Sequence, residues 1–380
     1  MTVNFDNAAT TFPKPQPVRR AVVQAMERFG GNAGRGGHPL AAATSEAVYS
    51  ARETIGSFFG AEPENTVFTL NCTHSLNLAI QGIMAEGGHI IISSMEHNSA
   101  ARPAFALAAA GKVSLSVAEV FPDTDRTLES FRSLMRSDTR AVVCTAGSNV
   151  TGQLMPWREI GGLCRSRRIC FIADGAQTCG IADISLADGI NILCTSGHKG
   201  LYGITGTGLL LSDGSFKIRP LMQGGTGSAS DSLVQPELLP EALESGTVGV
   251  IGIMSVKAGT EFVRSLGTAR IRAHEEEICR RFISGISGSS RITVCRQPGC
   301  DYLPVVSFNI ADIPPERAAS FLAGEGFCLR AGLHCAALAH SSLGTPGGTV
   351  RFSPSVFSRP EDADKLAALV RRIAENEKNL

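Results

Sequence analysis

Apolar residues in the first two-thirds of the chain gather into short runs at Thr66–Leu70, His89–Ser93, Arg140–Thr145, Ile169–Ala173, Ile192–Thr195 and Gly208–Leu211. Runs of this length and composition read as strands. Several are apolar throughout, the pattern of strands covered on both faces in a parallel sheet. Between them, apolar positions recur at helical spacing over Ala43–Phe59 and Ser75–Met84, and Pro156 suits the first turn of a helix running to about Arg167. The alternation predicts an α/β fold with a parallel sheet between helices.

From about Val256 the pattern changes. Two long, charge-bearing helical stretches precede strands near Ile292–Arg296, Val305–Ile310, Phe327–Arg330 and Thr349–Phe352, and an amphipathic helix follows over Arg359–Glu377. A smaller α/β unit appended to the large one is expected. Gln223–Ser232, QGGTGSASDS, predicts a mobile or ligand-facing loop.

A length of 380 residues agrees with two structural units. Lys and Arg number 35 against 35 Asp and Glu, with no block of like charge, so nothing resembles the basic footprint of a nucleic-acid binder, and a small-molecule partner is expected. The apolar stretches Ala104–Ala110 and Val248–Ser255 fall well short of the roughly 18 to 20 residues of a membrane span. Met1–Asp6 lacks the basic, apolar and small-residue order of an export signal, which leads to the expectation of a cytoplasmic protein. Eleven cysteines, an odd count in a large chain, predict reduced thiols. Cys144, Cys170 and Cys194 lie inside apolar runs and are expected in the core. The cysteine spacings do not match a zinc site, so no metal is expected.

Two residues at the ends of predicted strands carry the chemistry. Lys199, in C-T-S-G-H-K-G, follows an apolar strand and has small neighbours that leave room for a bound molecule. A Schiff-base lysine needs an ammonium pKa lowered by its surroundings, which a buried strand end supplies. By itself the motif also suits a surface lysine in a Gly-rich turn. Asp174 ends the strand before it, in F-I-A-D-G-A-Q, at the carboxyl edge where parallel sheets bind ligands. Taken singly, Asp174 suits a helix N-cap. Together the two suit pyridoxal 5'-phosphate (PLP), whose pyridine nitrogen stays protonated beside a carboxylate, and Gln177 is then placed to meet the ring's phenolic oxygen. Thr73 and the backbone N–H of His74 open a helix and can bind a phosphate there, although Thr73 as a plain N-cap would look the same. Ser196 and His198 can add donors. His97 can stack on the ring and shuttle a proton, or be structural.

The motifs D-N-A-A-T-T (Asp6–Thr11), T-H-S-L-N-L (Thr73–Leu78), E-H-N-S (Glu96–Ser99), S-N-V-T-G (Ser148–Gly152), D-G-A-Q (Asp174–Gln177) and S-G-H-K (Ser196–Lys199) resemble the cysteine desulfurase and selenocysteine lyase family. That family lies in the class V aminotransferase group of fold-type-I PLP enzymes. The resemblance spans nearly the whole chain. It implies a large PLP domain with a mostly parallel seven-stranded sheet, a smaller α/β C-terminal domain, and a homodimer with active sites at the subunit interface. The corresponding division is an N-terminal arm over 1–15, a large domain over 16–255 and a small domain over 256–380.

R-A-G-L-H-C-A, Arg330–Ala336, is similar to the short-loop branch of the desulfurases. The resemblance makes Cys335 the sulfur acceptor and Arg330 the residue that grips the substrate carboxylate, which would be that of L-cysteine or L-selenocysteine. A thiolate nucleophile needs an exposed loop in an electropositive setting, and an arginine holds a carboxylate bidentately. Without the resemblance Cys335 would read as another buried thiol. The resemblance further implies a cofactor or substrate contact for Asn149, a second substrate arginine at Arg351, and a reach from Thr247 to the neighbouring subunit's phosphate. It also brings in an acceptor protein for the released sulfur or selenium. Three positions depart from the family pattern: Gly246–Gly249 is G-T-V-G instead of G-T-P-N, Leu333 stands where some members have histidine, and His74 replaces a common glutamate.

Overall fold

The structure, a computed structural model, describes residues 2–34, 36–228 and 231–375. In chain order its strands are β1 (Val3–Asn4), β2 (Thr66–Thr69), β3 (His89–Ser93), β4 (Ser114–Ala118), β5 (Thr139–Thr145), β6 (Cys170–Asp174), β7 (Ile192–Ser196), β8 (Gly208–Ser212), β9 (Ile292–Val294), β10 (Val306–Ile310), β11 (Phe327–Cys328), β12 (Arg330–Gly332) and β13 (Thr349–Phe352). Among the described residues they form a seven-stranded sheet of order β2-β8-β7-β6-β5-β3-β4, a four-stranded sheet of order β12-β13-β10-β9, and the pair β1-β11. From β7 through β4 the large sheet is parallel, while β8 runs antiparallel to both β7 and β2. The large sheet is therefore mixed at one end.

Continuous apolar runs are explained by what covers them. Ile91, Val142, Cys144, Phe171, Ala173, Leu193 and Leu209 pack into one core. Their chain neighbours Ile90, Ile92, Ala141, Val143, Cys170, Ile172, Cys194 and Leu210 pack into another on the opposite face. Alternate side chains of a strand leave on opposite faces, so every position needs to be apolar. Cys144, Cys170 and Cys194 are fully buried in these layers, as expected. β4 shows no such run because it is an edge strand whose Ser114 and Ser116 face outward or lie half-buried.

The expected strand Phe327–Arg330 divides in two. β11 pairs in parallel with β1, whereas β12 enters the four-stranded sheet beside β13. The N-terminal segment thus belongs to the C-terminal unit: Phe5 is fully buried there, and its ring lies 4.5 Å from that of Phe352, which stacks on Phe282 at 4.4 Å. The last helix spans Pro360–Glu375, and residues 376–377 of the expected helix lie outside the described residues. The same holds for residues 229–230 of the Gly/Ser-rich loop, whose described part is irregular.

The two units meet at Tyr202, just past Lys199. Tyr202 is buried, donates to Glu275 Oε1 at 3.4 Å and accepts from the Val356 amide at 3.3 Å. Glu275 Oε2 is buried without a partner among the described residues, and burial raises the carboxyl pKa from 4.5 to about 8. Folded Glu275 therefore keeps its proton up to about pH 8, where the unfolded chain would release it near 4.5. The folded state binds more protons across that window, so stability is complete below it and falls as pH rises through it. Glu96, likewise raised to about 8 by burial, contributes in the same sense. Below about pH 6.5 the depressed histidines, His198 and His334 among them, act in the opposite sense, so the decline is expected between about pH 6.5 and 8, where the unfolding free energy from urea titrations should fall by about 2 kcal/mol for each carboxyl group. Glu275→Gln should flatten the slope by about half, if the two groups contribute equally. An unchanged slope would show that Glu275 does not titrate this way.

Candidate active site

In the large sheet β4 lies on one side of β3, and β5, β6 and β7 follow on the other. The chain thus reverses between β3 and β5, and open α/β sheets bind ligands at the carboxyl ends of strands beside such a reversal. β3 leads into Glu96 and His97, β5 into Asn149, β6 ends on Asp174 and β7 leads into Ser196, His198 and Lys199. One cavity lies at these ends. Thr73, His97, Asn149, Asp174, Gln177, Ser196, His198 and Lys199 all line it, joined by Asn71, Cys72, Ser99, Thr145 and Ala176.

Lys199 opens half-buried onto this cavity. Burial lowers its ammonium pKa, and the Asp174 carboxylate opposes that. Asp174 is almost fully buried, and its Oδ1 accepts from the Ala176 amide at 2.9 Å and from Cys72 Sγ at 3.4 Å. His97 caps the helix Asn98–Ala109, its Nδ1 accepting from the Ser99 amide at 3.1 Å. That acceptor role leaves the proton of a neutral ring on Nε2, and burial lowers the imidazole pKa. Ser99 Oγ then bridges His97 Nδ1 at 2.8 Å and Thr73 Oγ1 at 2.7 Å.

The donors suit a phosphorylated ring. Ser196 Oγ and His198 Nδ1 are buried with no partner among the described residues, although both residues line the cavity. Burial, with the nearby Lys199 and Lys14, drops the His198 pKa to about 4, so its imidazole is neutral and has one N–H to give. Ser196 and His198 thus offer neutral donors for a phosphate, in a cavity shared with a carboxylate and an amine of lowered basicity, while the Thr73 hydroxyl gives its proton to Ser99 Oγ and can turn toward a phosphate. Unpaired buried donors are unfavourable unless a partner arrives, and this donor set fits PLP.

Cys335 is exposed and lines a groove with Thr73, His97 and Ser99, which also line the Lys199 cavity. His334 and Cys335 have φ of 48° and 56°, and the Ala336 amide donates to Leu333 O at 2.9 Å. Two consecutive positive φ values in such a turn normally call for Asn or Gly and cost about 1 to 2 kcal/mol each in other residues. Neighbours hold the turn: Asn149 Nδ2 donates to His334 O at 2.8 Å, the Asn98 amide to Cys335 O at 2.7 Å, and His334 Nε2 meets Thr349 Oγ1 at 2.9 Å. Burial drops the His334 pKa to about 2, so that ring is neutral and adds no charge beside Cys335. The positive setting comes from the arginines. Arg330 and Arg351 are register partners on β12 and β13, and buried Arg351 donates to Asn149 O at 2.9 Å and to Asp6 Oδ1 at 3.0 Å.

One expectation needs revision. The helix opened by Thr73 is capped by Asn71, whose Oδ1 accepts the His74 amide at 2.9 Å. The His74 N–H is therefore committed within the protein, and the phosphate donors are side chains. Thr247 is exposed, accepts from Asn32 at 3.2 Å and lies outside the Lys199 cavity of its own chain, on the surface that a reach to a neighbouring subunit requires. Other features had no counterpart in the expected site. Asn71 has the residue type of an N-cap before an apolar helix, a signal present in the sequence. By contrast, Thr11 N, Thr11 Oγ1 and Lys14 Nζ converge on His198 O at 3.0–3.1 Å, and a backbone acceptor carries no sequence signature.

Residues 3–366 match the family described as Aminotransferase class-V. A protein of Methanothermobacter thermautotrophicus described as a probable cysteine desulfurase is 29% identical over 97% of this chain and 94% of its own. Another so described, from Halalkalibacterium halodurans, is 29% identical over 96% of this chain and 91% of its own. The solved apo structure of a cysteine desulfurase from Thermococcus onnurineus NA1 superposes with a TM-score of 0.91 at 26% identity, covering 99% of this chain and 95% of that one. The large sheet, the smaller C-terminal sheet and these likenesses give the chain the fold-type-I architecture of PLP enzymes. With its match across nearly the whole length and an amine, a carboxylate and phosphate donors at one strand-end cavity, the chain belongs to the aminotransferase class-V family.

Proposed function

We propose that this chain is a PLP-dependent cysteine desulfurase that converts L-cysteine to L-alanine and leaves the sulfur on Cys335 as a persulfide. The observation that carries this reading is the exposed Cys335 thiol at the end of a groove sharing Thr73, His97 and Ser99 with the Lys199 cavity. Bound in that cavity, PLP supplies an electron sink for the charge left when a substrate Cα proton departs.

The chain's own residues divide the remaining work. Lys199 Nζ holds the cofactor and moves the Cα proton, which its lowered pKa favours. Asp174 would hold the ring nitrogen in its positive form, and Gln177 would meet the phenolic oxygen. Thr73, Ser196 and His198 would hold the phosphate. His97, which lines the same cavity, would stack on the ring with its own proton on Nε2. Arg330 takes the substrate carboxylate, and its side chain has no hydrogen bond or ion pair among the described residues that would compete. Arg351 and Asn149 shape that end through their mutual hydrogen bond. Cys335 Sγ then attacks the substrate sulfur: an S–S bond forms, the Cβ–S bond breaks, and the three-carbon fragment gains a proton to become alanine. Cys335 is oxidised to the persulfide as Cβ is reduced.

L-Selenocysteine would enter the same site. Release of the persulfide calls for an acceptor protein, and we place the enzyme in the cytoplasm as a homodimer. The exposed Thr247 supports a reach into a second copy, and among the described residues no helix is long and apolar enough to cross a membrane. We keep the division into an arm over 1–15, a large domain over 16–255 and a small domain over 256–380. The pairing of β1 with β11 supports the arm, and helix Val250–Leu266 runs across the last boundary.

Mass spectrometry tests the reading directly. After exposure of the PLP-loaded protein to L-cysteine, one added sulfur is expected on the Cys335 peptide, with one alanine released for each. Alanine or pyruvate formation with Cys335 left unmodified would point to a C–S β-lyase or aminotransferase with Cys335 non-catalytic.

A further inference from the structure

Asp174 sits in a nest of thiols. Cys72 donates to its Oδ1 at 3.4 Å, Cys194 is its register neighbour on β7, and Cys179 Sγ would lie 2.6 Å from a Cβ added at Gly175. Among the described residues only Cys72 hydrogen-bonds the carboxylate through sulfur; Cys144 Sγ donates instead to Thr145 O at 3.2 Å. We propose that Cys72 is a positioning residue whose hydrogen bond to Asp174 Oδ1 sets how much negative charge the carboxylate presents to the cofactor's ring nitrogen. The proposal rests on the reading that this nitrogen faces Asp174.

Three observations support it. The Ala176 amide and the Cys72 thiol both donate to Oδ1, leaving Oδ2 with no donor among the described residues while Asp174 lines the cavity. One oxygen is held by the protein and the other is left for a ligand. Secondly, Cys72 has little freedom to turn away. It is the first residue of helix Cys72–Ile83, behind the Asn71 cap, and is buried in the core that also holds Ile172 and Cys194. Thirdly, burial, then the Asp174 charge, keep the thiol protonated, so it acts as a donor and not as a competing anion.

A thiol is a weak donor, a hydroxyl a stronger one and a methyl none. Hydrogen bonding to a carboxylate favours its charged form and reduces the negative charge left to attract a proton. Alanine and serine at position 72 should therefore act in opposite directions, which mere damage to packing would not do. The protein, C72A and C72S are loaded with PLP carrying 15N at the ring nitrogen, and its NMR shift reports how far that nitrogen is protonated. C72A is expected to move toward the protonated form and C72S away from it, each by roughly a two- to five-fold change in the carboxylate's proton affinity. Shifts in the same direction, or none, would overturn the proposal.

A second arm needs no cofactor. The infrared S–H difference band between the cofactor-free protein and C72A isolates the Cys72 stretch, and Asp174→Asn is expected to displace it. A band that does not move would overturn the hydrogen bond itself. If the unaltered protein failed to take up labelled PLP, the cofactor reading and the proposal would fall together, which the missing bound signal identifies. C72S and the unaltered protein retain the NMR comparison should C72A not fold.

Discussion

Replacing Lys199 with alanine is expected to lower alanine formation from L-cysteine by roughly a thousand-fold or more, because one atom is assigned both cofactor attachment and proton transfer. The visible absorbance produced by covalent attachment of PLP to this lysine should vanish with it. Cofactor held by Thr73, Ser196 and His198 should still be retained in part, since those donors do not pass through Lys199. The cofactor-free variant is expected to be no less stable than the parent protein. Burial already disfavours the Lys199 ammonium, so removing it relieves a desolvation cost. Absorbance titration with PLP, an alanine assay and a urea melt check the three parts. A covalent-attachment band that survived in K199A would remove Lys199 from its assigned place.

The second large effect is expected at Cys335, and it separates chemistry from cofactor binding. Cys335→Ala should keep the PLP absorbance, lose all persulfide and make alanine from L-cysteine roughly a hundred-fold more slowly or worse. The loss with L-selenocysteine should be smaller, because the weaker C–Se bond can break without a nucleophile. Backbone strain gives an independent check. Cys335 has φ of 56°, where alanine is as strained as cysteine and glycine is not. Cys335→Gly is therefore expected to be as inactive as C335A yet more stable by up to about 1 kcal/mol. An active glycine variant would show that the thiol is not the acceptor. A glycine variant less stable than C335A by the roughly 0.5 to 1 kcal/mol that glycine's unfolded-state freedom costs would show that the turn carries no strain at this position.

Much of this was legible in the sequence for a physical reason. β3, β5, β6 and β7 are buried on both faces, so their composition alone marks them. Lys199 and Asp174 each have an ordinary structural explanation, and they are legible as a pair because both stand at the carboxyl ends of successive buried runs. What the sequence hides is pairing. The reversed direction of β8, the half-exposed edge strand β4 and the division of Phe327–Arg330 between two sheets all depend on partners distant in the chain. The same limit applies inside the site. Asp6 reaches Arg351, Asn149 reaches His334 and the arm reaches His198 O, each across more than 180 residues. The His74 amide was misjudged for a local reason: Asn71 is a better cap than Thr73, and it takes that N–H first.

The pairing of β1 with β11 has a consequence for how the protein is made. Val3 leaves the ribosome long before its partner Phe327 is synthesised. At roughly 5 to 20 residues per second, the first strand waits on the order of a quarter of a minute to a minute. During that time the nascent chain already carries Asp174 and Lys199, but Phe5 has no core to enter and Asp6 has no Arg351 to meet. Release of the C-terminal segment closes the fold and delivers Arg330 and Cys335 in the same event, so an unfinished chain holds a cofactor pocket with nothing to receive sulfur.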